Sequence, residues 1–300
     1  MNNFVTEEKL PAFVATMARF SRALFDLTKP KIAIASVLTI LVTYVSLVRD
    51  ISLPSVLMLL LGSGLAAGGS LAFNQWWERD SDLLMRRTRF RPLPQKALSS
   101  GAALTYSLAL SLAGCLLLWG VFGVLTAGLG LATILIYAGL YTPMKCRSRW
   151  ATEVGSISGA LPPILGAAAA GHANATSAWL LALALFFWQM PHFYAIGWIH
   201  RDDYRAAGLP LLPAVDLQGR RTGLWMLVYS GLLVLVLLLP WSIGLIPPLS
   251  AAAALTGAML LFIRSWKFYF AAADDRTSAA RRLFHASLLA LPGLLFLAFA

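Results

Sequence analysis

The sequence predicts an all-helical protein that crosses a membrane several times. Hydrophobic residues make up 59% of the 300 residues, charged residues make up only 12%, and the mean hydropathy is +0.73. A soluble domain usually carries about 25% charged residues. The apolar residues form solid runs of roughly 20 residues, the length at which an α-helix crosses a bilayer core. Because barrel strands would instead alternate at period two, the pattern favours a helical bundle.

The apolar runs predict nine membrane-spanning helices. In chain order they cover residues 32–48, 53–77, 99–120, 122–141, 154–171, 177–198, 222–240, 243–263 and 283–300. We expect two four-helix halves, roughly 29–142 and 143–265, which form with the ninth helix one transmembrane domain of residues 29–300. Residues 1–28 contain three acidic residues and no apolar core before a cleavage site. We therefore expect a retained cytosolic segment there.

The positions of the basic residues predict the orientation. Of the 24 Lys and Arg residues, all except Arg49 fall on one side of the predicted helices. The positive-inside rule places that side, with the amino terminus, in the cytosol and the carboxyl terminus outside. We expect a multi-pass protein of the bacterial inner membrane whose active site opens to the cytosol. The net charge of +11 is then mainly a topology signal, and we expect no nucleic-acid partner.

The second predicted helix ends in a row of oxygen-bearing side chains. Asn74, Glu78 and Asp82 are spaced four residues apart, so they share one helical face. Acids near membrane depth are costly and are usually paired, hydrated or functional, although a solvated helix end is the alternative interpretation. Several arginines follow closely, among them Arg79, Arg87 and Arg91. Acids that hold Mg²⁺ and cations that bind phosphate oxygens together suit a diphosphate.

These residues resemble the UbiA-type intramembrane prenyltransferase superfamily. Asn74-Gln75-x-x-Glu78-x-x-x-Asp82 is similar to its first acidic motif, with Gln75 and Glu78 in place of two aspartates. The run 78–94 is similar to one branch in particular, the enzymes that farnesylate protoheme IX. Three further segments agree with that branch: Tyr141-Thr142-Pro143-Met144-Lys145, Trp188-Gln189-Met190-Pro191-His192-Phe193-Tyr194 and Asp203-Tyr204-x-x-Ala207-Gly208.

The resemblance implies transfer of the farnesyl group of farnesyl diphosphate to a vinyl group of heme B, with addition of water. The products would be heme O and diphosphate, for the assembly of heme-copper oxidases, and proteins of that assembly or of heme A synthesis are possible partners. Heme B would be a substrate and Mg²⁺ the cofactor. The catalytic residues implied are Asn74, Glu78, Asp82 and Asp203, of which Glu78, Asp82 and Asp203 would hold Mg²⁺. The diphosphate-binding residues implied are Arg79, Arg87, Arg91, Lys145 and Arg147.

Heme B as a substrate raises the question of an axial ligand. His192 is the best candidate because an imidazole within an apolar helix needs a partner or a role, and Tyr194 offers a ring nearby. A histidine that only joins two helices is an equal alternative. We expect Glu153, at the start of the fifth helix, to pair with a loop arginine.

Three other functions suit parts of the sequence. A sister prenyltransferase would act on an aromatic acid or a quinone precursor, but the branch-specific segments argue against it. A transporter would carry charged residues deep in several helices, whereas nearly all acids here gather at one membrane face. A heme-binding assembly factor would not need the cluster of acids and arginines.

Overall fold

We describe residues 9–299 of a computed structural model. The described part is helical and contains no β-strand, which confirms the predicted all-helical class. The first eight residues of the predicted cytosolic segment and the last residue of the predicted ninth helix lie outside the described residues. In chain order the α-helices are α1 (Lys9–Leu27), α2 (Pro30–Leu47), α3 (Leu53–Leu84), α4 (Ser100–Ile134), α5 (Thr142–Met144), α6 (Ala151–Ala160), α7 (Pro162–Ala169), α8 (Thr176–Ile199), α9 (Arg201–Ala206), α10 (Leu212–Val215), α11 (Arg220–Ser242), α12 (Pro248–Tyr269) and α13 (Arg276–Leu295).

Seven of the described helical segments are long and apolar enough to cross a membrane. One of them is the stretch Ser100–Met144, which includes both helices predicted at 99–120 and 122–141. The expected short loop between them is instead a kink, because Gly123 adopts the left-handed φ of 82° that favours glycine. The predicted fifth helix is interrupted at Leu161, where the two prolines at the start of α7 lack the N–H groups needed to continue α6.

Helix α3 extends further than its apolar run. The predicted membrane span ends at residue 77, and the helix continues through Leu84. The residues beyond the span include strong helix formers and follow the same face as the buried residues upstream. The row of oxygen-bearing side chains therefore lies on one helix, as its spacing predicts.

Helices α3 and α4 approach each other through glycines. A side-chain carbon on Gly114 would lie 2.4 Å from the backbone nitrogen of Ala66, and one on Gly69 would lie 2.4 Å from the Ser111 hydroxyl. Small residues of this kind let the backbones of membrane helices come close together. The contact fixes the position of α3, which carries the acidic row.

A π-helix, Leu135–Tyr141, joins α4 to α5. Thr142 marks its end: its hydroxyl donates to the Tyr137 carbonyl, five residues earlier, at 2.8 Å. Such segments contain one residue more per turn than an α-helix and are frequent at functional sites. Lys145 follows directly after α5 and therefore depends on the π-helix for its direction.

The second half of the chain is built around α8. Helices α11, α12 and α13 pack with it to form the largest buried core, which includes Trp188, Trp198 and Phe268. Helix α13 is followed by a single 3-10 segment, Phe296–Phe299.

Candidate active site

The row of oxygen-bearing side chains near the end of α3 is buried. Asn74 and Glu78 are 2% and 4% exposed, and Asp82 is fully buried. The three side chains share one helical face, as their spacing predicts. Two carboxylates buried side by side on one helix are energetically costly unless nearby cations offset their charge.

Cations from two other segments contact these carboxylates. The Arg91 guanidinium, from the loop after α3, donates to Asp82 Oδ2 at 2.6 Å and lies 3.9 Å from Glu78 Oε2. The Lys145 ammonium donates to Glu78 Oε1 at 2.9 Å. Burial alone would lower the pKa of Lys145, but the Glu78 carboxylate more than offsets this and raises the pKa well above its ordinary value. Lys145 therefore remains charged in a site that is mostly shielded from water.

A third cation, Lys29, was missed by the sequence analysis. It lies between α1 and α2, and its ammonium donates to Asn74 Oδ1. Burial, followed by the repulsion of the nearby Arg91, lowers the pKa of Lys29 to about 7. No periodic pattern marks this lysine, because its contact with Asn74 spans 45 positions of the chain.

Asn74 connects the cluster internally. Its amide nitrogen donates to Glu78 Oε1 at 2.8 Å and to the Thr142 hydroxyl at 3.1 Å. Since its carbonyl oxygen accepts from Lys29, all of its polar atoms are engaged. Asn74 thus orients Glu78 and links α3 to the residue that ends the π-helix.

The donor set fits a magnesium ion that also binds phosphate. Asp82 Oδ1 is buried and has no hydrogen-bond partner among the described residues, so one carboxylate oxygen is left for a cation. Those residues contain no group of three His, Cys, Asp or Glu side chains placed to hold a metal. Mg²⁺ usually takes one or two carboxylates and completes its shell with substrate phosphates and water, so two acids are sufficient.

Asp203 is on α9, in the second half of the chain, and lies beside the residues that follow α3. Its Oδ1 accepts from the backbone N–H of Arg86 at 3.2 Å. The ring of the next residue, Tyr204, lies 6.0 Å from the Lys145 ammonium. Asp202 instead pairs with Arg205 at 3.1 Å, and its side chain is 79% exposed. Of the two neighbouring aspartates, Asp203 is therefore the one directed towards α3.

The remaining predicted cations stay outside the cluster. Arg79 donates to the Trp76 carbonyl of its own helix at 2.8 Å and lies 3.5 Å from exposed Asp80, so its position does not support the predicted diphosphate contact. Arg87 and Arg147 are exposed, and their role stays a prediction. Arg79 follows Glu78 in the sequence, but a helix directs consecutive side chains about 100° apart, so the two point in different directions.

His192 contacts α13. Its Nδ1 lies 2.6 Å from the Ser287 hydroxyl, which itself donates to the Phe284 carbonyl. When the Ser287 hydroxyl donates to the Phe284 carbonyl, His192 Nδ1 is the donor to Ser287 and the lone pair is on Nε2. The indole of Trp188 stacks on the imidazole at 5.0 Å. His192 thus joins α8 to α13, and the contacts with Ser287 and Trp188 fix the orientation of its imidazole.

Tyr194 is directed towards a different neighbour. It is fully buried and donates its hydroxyl to Glu153. The expected pairing of Glu153 with a loop arginine is wrong, because no described ion pair includes Glu153 and its partner is this phenol. With no exposed ring face, Tyr194 is not placed for the predicted heme contact.

Comparisons with known proteins agree with this geometry. The profile described as "UbiA prenyltransferase family" matches residues 34–288. The protoheme IX farnesyltransferase of Opitutus terrae is 40% identical over 279 residues, covering 93% of each chain. That of Solibacter usitatus is 39% identical, covering 90% of this chain and 95% of its own.

Solved structures share the fold. A structure of digeranylgeranylglyceryl phosphate synthase matches with a TM-score of 0.76 at 12% identity, covering 93% of this chain and 99% of its own. A UbiA homologue from Archaeoglobus fulgidus, bound to GPP and Mg²⁺, has a TM-score of 0.61 at 15% identity, covering 91% of this chain and 99% of its own. With a matching profile over most of its length, close relatives and a shared fold, the chain belongs to the UbiA prenyltransferase family.

Proposed function

We propose that this enzyme transfers the farnesyl group of farnesyl diphosphate to a vinyl group of heme B and adds water, giving heme O and diphosphate. The observation that carries the proposal is the buried cluster of Glu78, Asp82, Arg91 and Lys145. It occurs in a chain that is 40% identical to a protoheme IX farnesyltransferase. The cluster suits a metal-bound diphosphate, and the relatives indicate which acceptor receives the prenyl group.

Glu78 and Asp82, with Asp203 from the opposite half, are our proposed Mg²⁺ ligands. When bound, the ion neutralises charge on the diphosphate. Asn74 contributes by directing the Glu78 carboxylate. The unpartnered Asp82 Oδ1 supports the assignment, because a buried carboxylate oxygen without a donor is costly unless a cation occupies the space beside it.

Arg91 and Lys145 stabilise the leaving group in this proposal. The bond between the farnesyl carbon and the diphosphate oxygen breaks, and its electron pair stays on the oxygen. Guanidinium and ammonium groups held in place before the reaction stabilise that developing charge without reorganising. Arg87 and Arg147, on neighbouring exposed loops, would first attract the anionic substrate.

The carbon skeleton reacts away from these charges. The terminal vinyl carbon of heme B attacks the farnesyl cation, water adds to the resulting cation beside the porphyrin ring, and a proton is released. We propose that His192 contacts the heme through Nε2, with Ser287 fixing the ring. Tyr194 then acts indirectly, by tying α8 to Glu153 of α6.

Nine membrane crossings complete the proposal. The Gly123 kink would divide Ser100–Met144 into two crossings, and the interrupted pair α6 and α7 would form another. The halves 29–142 and 143–265 and the location in a bacterial inner membrane are part of the proposal. The cytosolic opening of the site and the cytosolic amino terminus follow from the distribution of basic residues. Proteins of heme A synthesis or oxidase assembly are the proposed recipients of heme O.

The deciding experiment incubates the detergent-purified full chain with heme B, farnesyl diphosphate and Mg²⁺, with and without a chelator. Mass spectrometry should detect a heme that carries farnesyl and hydroxyl groups, only when Mg²⁺ is free. Prenylation of an aromatic acid instead would move the enzyme to the sister branch. Absence of any prenyl transfer would contradict the proposed reaction.

A further inference from the structure

Lys29 occupies an unusual position before the second helix. Its backbone adopts φ 45° and ψ 62°, the left-handed region that a lysine seldom enters. Pro30 follows and begins α2. A residue stays in such a conformation only when its surroundings hold it there.

Gln75, the neighbour of Asn74 on α3, holds the turn before Lys29 in place. The Gln75 amide nitrogen donates to the carbonyls of Asp26 at 2.9 Å and Leu27 at 3.0 Å, at the end of α1. The Asp26 carbonyl also accepts from the backbone N–H of Lys29 at 3.3 Å. Gln75 thus fastens the turn that contains Lys29, while Asn74 receives its ammonium group.

An amide can make these contacts, whereas a carboxylate cannot. Gln75 is 2% exposed, and both of its bonds are donated by nitrogen to backbone carbonyls. A carboxylate of the same size has no N–H to donate and would repel the two carbonyls. The glutamine is therefore suited to hold the α1–α2 turn through its amide nitrogen, while its carbonyl oxygen is buried and has no hydrogen-bond partner among the described residues.

The charge of Lys29 is available for a ligand. Arg91 pairs with Asp82 and Lys145 pairs with Glu78. Within residues 9–299, Lys29 forms no ion pair with a carboxylate, and its ammonium donates to the neutral oxygen of Asn74. Lys29 is thus a third basic group beside two carboxylates, and in its protonated form, which a nearby anion favours, it can bind that anion without breaking an existing ion pair.

We propose that Lys29 contacts the diphosphate group and that Gln75 is its positioning residue, through the turn at the end of α1. This inference rests on the proposed function and adds two residues to its diphosphate site. Lys31, two positions later, provides a matched control because it is exposed.

The test measures binding of inorganic diphosphate with Mg²⁺, and KM and kcat for farnesyl diphosphate, on the full chain in detergent. Lys29→Met should weaken diphosphate binding and raise KM at least tenfold, Lys29→Arg should stay within about threefold of the wild type, and Lys31→Met should change both less than twofold. Gln75→Leu should weaken binding in the wild-type background and add less than twofold to Lys29→Met. A full additional effect in the double variant would overturn the positioning role.

A second measurement needs no substitution. An amine-reactive reagent is applied to the wild-type chain with and without magnesium diphosphate, and each lysine is quantified by mass spectrometry. Diphosphate should protect Lys29 at least threefold and leave Lys31 unprotected. Equal labelling of Lys29 in both samples, in a chain that binds diphosphate and forms product, refutes the inference alone. A wild-type chain that binds no diphosphate refutes the proposed function as well.

Discussion

Replacing Asp82 with asparagine removes one charge from the most deeply buried ion pair of the cluster. Asp82 is fully buried and lies 2.6 Å from the Arg91 guanidinium. At that distance the attraction between unit charges is about 6 kcal/mol for an effective dielectric constant of 20. Part of this is offset because Arg91 is 21% exposed and keeps a second carboxylate, Glu78, at 3.9 Å. Losing one partner of a buried pair typically costs about 3 to 5 kcal/mol.

The expected consequence is a large loss of prenyl transfer. Removing one preorganised electrostatic group from an active site typically costs about 3 kcal/mol of transition-state stabilisation, and kcat/KM for farnesyl diphosphate then falls about 150-fold. The assay is the initial rate of heme O formation by the purified Asp82→Asn variant at saturating Mg²⁺. Asp80→Asn, on the same helix but with a side chain that is 81% exposed, is the control and should change the rate less than twofold. If folded Asp82→Asn keeps more than a third of the wild-type kcat/KM, the assignment of Asp82 to the site is refuted.

Three further outcomes are expected from other parts of the structure. Gly114→Ala should lower the free energy of unfolding by about 1 to 3 kcal/mol, because the new carbon would lie 2.4 Å from the α3 backbone. The control, Gly128→Ala, should not lower it, because a carbon there meets nothing within 4 Å. Equal thermal midpoints for the two variants would contradict the close packing. Ser287→Ala should change the visible absorption of bound heme B by releasing His192, and an identical spectrum would separate this histidine from the heme. Arg79→Met should leave KM for farnesyl diphosphate within twofold, and a tenfold rise would place Arg79 at the diphosphate after all.

The sequence predicts the carboxylates of the charge cluster better than it predicts the cations. The carboxylates Glu78 and Asp82 follow from a four-residue spacing, because helical geometry converts spacing directly into a shared face. The cations do not follow in this way, since a loop gives no rule for side-chain direction. Arg91 and Lys145 reach the carboxylates, whereas Arg79, predicted with equal reason, binds its own helix.

Long-range contacts account for the rest of the difference. Lys29 meets Asn74 only because α1 ends against α3, a packing relationship that no local pattern encodes. The apolar runs located the membrane helices, but they could not distinguish the kink at Gly123 from a loop. Hydropathy also does not show which face of a helix packs against which neighbour when the helix is apolar on all sides. The contact between His192 and Ser287 was therefore not predicted.

The π-helix before Lys145 makes this stretch sensitive to chain length. A regular α-helix turns by about 100° per residue, so one more residue in a purely α-helical stretch would turn Thr142 and Lys145 away from Asn74 and Glu78. The wider turns of Leu135–Tyr141 take up such a residue and keep both side chains directed at the cluster. The number of residues in this segment therefore matters as much as their identity.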